Sequence, residues 1–226
     1  NNQSAYESAL ANLRYDHERG FVFAEGQQVK DDLRTAGSIS DAQAAEDRRQ
    51  TFTPDDFSNL DTDTWRVGGG LNLTANWSLL AEYSDRNEES DYVSYGSSTQ
   101  SSMRVKSLTP RVVGEYALNH GQLIVTLGYD QIDSDYESNN GWVPVASTQE
   151  QRSYYAQVVY PVLPKLTATL GLRQAEVEDE NQLLLKQQKD DLTASELGLS
   201  YQLSNEWRVF ARYAEGFRFA NPDDNN

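Results

Sequence analysis

What most constrains this chain is a period-two alternation of apolar and polar residues that recurs in hairpin pairs. Trp65, Val67, Gly69, Leu71 and Leu73 alternate with Arg66, Gly68, Gly70 and Asn72, which places one set on each face of a strand. After a break at residues 74–76 the apolar face resumes with Trp77, Leu79, Ala81 and Tyr83, so the two runs form a tight hairpin. The unit repeats as residues 108–118 with 123–129, 154–160 with 166–172, and 197–203 with 207–213. Ala9, Ala11, Leu13 and Tyr15 mark one further strand, which makes nine.

The connections alternate as well. Turns near residues 75, 120, 163 and 205 are short, whereas the links at roughly 24–62, 85–101, 130–150 and 175–191 are long. Short on one side and long on the other is the layout of an outer-membrane β-barrel with brief periplasmic turns and long extracellular loops. A soluble sandwich also supplies alternating strands but gives no reason for loop length to alternate. Aromatics fall into two rows on the apolar face: Trp77, Tyr116, Tyr160, Tyr201 and Trp207 beside the short turns, and Trp65, Tyr83, Tyr129, Tyr154 and Tyr213 toward the long loops. Two such rows flanking an aliphatic band match the girdles at the two membrane–water interfaces. The opposite face carries charges of both signs, among them Glu82, Glu115, Asp130 and Glu196 with Arg66, Arg111, Arg173, Arg208 and Arg212. A wet lumen tolerates these; a sandwich core does not.

Composition removes whole classes of function. A formal net charge of −16 argues against a nucleic-acid binder, which needs surplus cations to displace phosphate counterions. With no cysteine, disulfides, thiolate nucleophiles and Cys-based metal sites are excluded. No run approaches the ~18 apolar residues of a membrane-spanning helix. The four long links hold 24 of the 35 acidic residues and 7 of the 19 Lys and Arg, so the acidity belongs to them and the wall is close to neutral.

Chemical motifs are few. Gly68-Gly69-Gly70 lacks the Lys and following helix of a phosphate loop and reads as small lumen-facing positions against which something packs closely. His17 sits beside Asp16 and Glu18 as a surface residue, and His120 falls in a turn. No Ser/His/Asp set, acid–base couple, metal-ligand set or cofactor motif is legible, so the chain does not read as an enzyme. Residues 41–50 suit a short surface helix.

The C-terminal run Trp207-Arg208-Val209-Phe210-Ala211-Arg212-Tyr213-Ala214-Glu215-Gly216-Phe217-Arg218 resembles the late barrel strand of TonB-dependent outer-membrane receptors, with Tyr213, Gly216, Phe217 and Arg218 matching the motif. The resemblance implies an all-β, antiparallel transmembrane segment of a barrel of about 22 strands. Residues 1–226 are then part of the barrel domain, with no plug legible. It further implies an interior fragment that begins with a strand rising from the periplasm. The implied function is TonB-energised uptake of a scarce nutrient, foremost an iron–siderophore complex, with haem or cobalamin behind it. A passive porin-like or autotransporter barrel is the alternative. Implied partners are outer-membrane lipid and lipopolysaccharide, the plug and remaining barrel strands, TonB acting through the plug, and a small metal chelate. The resemblance assigns ligand contact to Tyr92, Tyr95, Trp142, Phe217 and Arg218, and sets Arg66, Arg111, Arg173, Arg208 and Arg212 toward the plug.

Overall fold

The computed structural model describes residues 4–181, 186–217 and 219. Eleven strands and one short helix follow in the order β1 (Ser4–His17), β2 (Gly20–Arg34), α1 (Asp41–Glu46), β3 (Phe57–Asn72), β4 (Trp77–Ser94), β5 (Ser97–Leu108), β6 (Arg111–Leu118), β7 (Gly121–Asn139), β8 (Pro144–Leu163), β9 (Leu166–Asn181), β10 (Lys186–Gln202) and β11 (Arg208–Ala214). They form a single antiparallel sheet ordered as in the chain, with β6 continuing β5 between β4 and β7. The break between β5 and β6 falls at Thr109-Pro110, where proline has no N–H to give the ladder. Thr109 N–H still donates to Glu82 O at 2.9 Å and Pro110 O still accepts from Tyr129 at 3.0 Å. The two segments therefore act as one length of wall.

Ten lengths of wall thus stand where nine were expected, and the additional one is β2. Its segment Phe21-Val22-Phe23-Ala24 is apolar on both faces, and beyond Gly26 it turns polar on both, so alternation never marks it. Its presence reverses the expected direction of the first strand. β1 and β2 meet in a two-residue turn at Glu18-Arg19, and Arg19 O accepts the N–H of Asn72 at 2.7 Å. That turn lies on the side of the short turns, so β1 runs toward them.

The long links are mostly strand as well. Among the described residues the irregular connections on that side shrink to residues 35–56, 95–96 and 140–143. The other stretches continue the hairpins in unbroken register, for example Asp133↔Glu150 and Asp61↔Glu89. Both faces are polar there, which hides the period without breaking the ladder. Within residues 35–56, α1 is capped by Ser40, whose hydroxyl accepts from Gln43 N–H while the Gln43 side chain accepts from Ser40 N–H; this reciprocal arrangement satisfies two orphan donors.

The sheet has one layer. Among the described residues Ala175, Val177 and Pro161 are the buried apolar side chains, and the accessible area is 15750 Å², against about 10,400 Å² for a folded globular chain of this mass. Leu71, Leu127, Leu170, Leu172, Leu197 and Val209 are all roughly half exposed on one continuous face. A patch of that extent marks contact with lipid or protein rather than water, and among the described residues no second sheet covers it.

Candidate functional site

The apolar face is bordered by aromatic pairs formed across strands. Trp65 on β3 meets Tyr83 on β4 at 5.5 Å between ring centroids, and Tyr129 on β7 meets Tyr154 on β8 at 5.0 Å. Near the short turns Trp77 and Tyr116 stand edge to face at 6.1 Å, with the indole N–H donating to the Tyr116 hydroxyl at 2.6 Å. Satisfying the polar tip of each ring suits a position where one end is apolar and the other wet.

The opposite face is built from ion pairs. Register sets Arg66 opposite Glu25 on β2 and diagonal to Glu82 on β4. Its Nε and Nη2 donate to the two Glu82 oxygens, each at 2.9 Å, and Nη1 to Glu25 at 3.1 Å. Arg173 reaches Asp130 and the Ser153 hydroxyl, each at 3.1 Å, and Arg212 reaches Glu196 at 2.8 Å. Arg111 and Arg208 share this face by alternation, opposite Gly128 and Gln202, and neither meets a carboxylate among the described residues. The face also shows what packs against the glycine run. A Cβ on Gly68 would fall 2.7 Å from the Phe23 ring and 2.8 Å from Ala81 O, and one on Gly70 would fall 2.7 Å from the Phe21 ring. The close partner is the wall's own β2, whose aromatics lie flat in the space the glycines leave.

At the hairpin tips the candidate aromatics part company. Tyr92 lies near the end of β4 on the polar face, opposite Ser58 and Thr99. Tyr95 occupies the turn after β4 with φ 49, and its hydroxyl is engaged by Ser38, accepting from the N–H at 3.0 Å and pairing with the Oγ at 2.7 Å. Those hydrogen bonds, the side-chain one foremost, hold its phenol below the ordinary tyrosine range. Trp142 is 87% exposed between β7 and β8. The Asn140 carboxamide accepts from the N–H of Trp142 at 3.0 Å and of Val143 at 3.1 Å, an Asx turn that presents the indole on a fixed backbone. Tyr92 and Trp142 stand on neighbouring hairpins, joined through Gln100↔Asn139. Phe217 lies past β11, far along the sheet from both, with its ring 5.3 Å from Phe219; Tyr213 and Gly216 lie just before it, and Arg218 falls outside the described residues. Sequence reasoning missed Glu25, Ser38 and Asp56. Asp56 is 4% exposed and becomes visible only once residues 35–56 are folded.

A one-layer antiparallel wall with an aromatic-bordered apolar face and an ion-paired polar face defines a membrane β-barrel. The family described as TonB dependent receptor-like, beta-barrel matches residues 3–226, and the chain belongs to that family. No curated protein matches the chain. Among solved structures it is similar to the ferric citrate transporter in its unliganded form, at 16% identity and a TM-score of 0.75 over 93% of this chain and 36% of that one. It is also similar to the ferripyoverdine receptor of the outer membrane of Pseudomonas aeruginosa bound to ferripyoverdine, at 11% identity and 0.78 over 93% and 35%. The ferric preacinetobactin receptor from Acinetobacter baumannii aligns at 17% identity and 0.68 over 92% and 39%. The chain therefore spans little more than a third of these structures, and at such identities the likeness concerns the fold.

Proposed function

We propose that this chain is part of the barrel wall of an outer-membrane receptor that takes up an iron chelate with energy supplied through TonB. Family membership is the observation that carries the reading, and the similar structures named above are receptors or transporters of ferric complexes. In this reading the apolar face meets lipid and the hairpin tips meet lipopolysaccharide. The polar face encloses a plug, and other parts of the receptor supply that plug and the remaining strands.

The chain's own residues divide the work. Trp142, on its rigid turn, and Tyr92 make the first contact with ligand, joined by Phe217 past β11 and by its neighbour in the motif, Arg218. Tyr95 has its hydroxyl committed to Ser38 and acts by fixing the 35–56 loop over the hairpin. Arg66, Arg173 and Arg212 are neutralised within the wall, which keeps the lumen hydrated and the strands in register. Arg111 and Arg208 are the cations open to carboxylates of the plug. No step calls for a catalytic group.

Uptake of radiolabelled iron by cells carrying the complete receptor tests the reading. Disabling TonB should abolish uptake and leave surface binding intact. Uptake that continues unchanged without TonB would instead identify a passive barrel.

A further inference from the structure

The polar face of the extracellular extension is made mainly of hydroxyls and amides. Because register is unbroken from the aromatic pairs Trp65–Tyr83 and Tyr129–Tyr154 outward through β3, β4, β5, β7, β8, β9 and β10, alternation can be followed to the hairpin ends. Ser84, in register with Arg66, pairs with Ser107 at 2.8 Å, and above that level Ser90 pairs with Ser101 at 3.1 Å across β4 and β5. Gln149 and Gln151 continue this lining on β8.

Charge on this surface is unbalanced. Among the described side chains on the polar face of these strands, Arg86 is the single cation at this height, and it is bound to Glu88. Asp31, Asp179 and Asp190 share the face by alternation. Asp179 is 2% exposed; one of its oxygens accepts from Gln149 Nε2 at 2.7 Å and the other has no hydrogen-bond partner. A buried carboxylate oxygen without a donor calls for one. A polyanionic ligand brought against this wall would meet like charge with no unpaired cation among the described side chains at this height to offset it, a juxtaposition that suppresses wrong partners. The wall's potential instead draws in positively charged molecules and does not oppose neutral ones.

We propose that the ligand this wall recognises is an uncharged or cationic, donor-bearing chelate, bound by hydroxyl, amide and carboxylate acceptors, and not a polyanionic one. The inference rests on the uptake reading above and narrows its substrate class.

The test uses the complete receptor and two ferric probes of similar size, a neutral tris-hydroxamate chelate and a trianionic tris-catecholate chelate, with binding followed by fluorescence quenching. The neutral probe should bind at least about a hundredfold more tightly. Gln151→Arg, which places a guanidinium on the same wall in place of a lining amide, should strengthen binding of the anionic probe by about tenfold or more and so narrow the gap between the two probes. Equal or tighter binding of the anionic probe by the unmodified receptor overturns this inference and leaves the uptake reading standing. If neither chelate binds, and cells import no radiolabelled iron from any ferric chelate, the uptake reading falls and this inference with it.

Discussion

Asp56 accepts the backbone N–H of Tyr95 at 3.0 Å, and Tyr95 through its hydroxyl holds Ser38. The two ends of the 35–56 loop are therefore tied to the tip of the β4–β5 hairpin. Thr35 N–H donates to Asp56 O at 3.1 Å and closes the base of the loop. Tyr95→Phe removes both hydrogen bonds to Ser38 and should loosen the loop locally. Amide hydrogen exchange at Ser38 should speed up accordingly, while exchange in the β3–β4 ladder stays unchanged.

The glycines of the polar face are held to their size by aromatic neighbours. Gly68→Ala brings a methyl into the Phe23 ring and into the carbonyl of Ala81, an overpacking that should destabilise by about 1–3 kcal/mol. Gly26→Ala, which meets nothing within 4 Å, should be neutral or slightly stabilising. Thermal unfolding of the two variants in detergent separates a packing requirement from a general intolerance of side chains.

Arg66 bridges carboxylates on both neighbouring strands, yet its side chain is 39% exposed, so solvent screens much of the pair energy. Arg66→Gln should cost about 1 kcal/mol, read as a small drop in unfolding midpoint. Arg66→Lys should recover only part of it, because an ammonium lacks the fork that engages both Glu82 oxygens.

Glu215 takes two hydrogen bonds from Ser195, from the hydroxyl at 2.6 Å and from the N–H at 3.1 Å. The hydroxyl bond is the larger cause of a carboxyl pKa below its ordinary value of 4.5. A lowered folded-state pKa means that the tie is fully present above the ordinary value and lost as pH falls through the lowered one. Exchange at the Ser195 amide should therefore quicken only in strong acid, and Glu215→Gln should remove most of that dependence.

Trp142→Ala should leave the fold untouched, since the indole is almost wholly exposed, while weakening ligand capture by about tenfold or more, the scale of an aromatic anchor. Val143→Ala on the same turn serves as the control and should change binding little.

Legibility in the sequence followed chemistry. Where one face meets lipid and the other water, as from Trp65 to Leu73, alternation sets the register unaided, and the aromatic pairs Trp65–Tyr83 and Tyr129–Tyr154 fall where the rows predict. β2 was hidden because Phe21 and Phe23 fill space left by Gly68 and Gly70, which makes its polar-face positions apolar. The hairpin extensions were hidden for the opposite reason, since a ladder such as Asp133↔Glu150 has water on both sides. Tyr95 was legible as an exposed loop aromatic, but its bond to Ser38 spans 57 residues, and no local pattern announces a contact so distant.

The central claim is that one face of this sheet lies in lipid and the other lines a wet lumen. Nitroxide labels placed singly along β4 and β9 in the complete receptor, reconstituted in bilayers, test it most directly. Labels at Leu79, Ala81, Leu170 and Leu172 should be relaxed by oxygen dissolved in lipid. Labels at Leu80, Glu82, Gly171 and Arg173 should respond to a water-soluble paramagnetic complex, with the alternation fading above Tyr83. Equal access of the aqueous reagent to both sets would contradict the account.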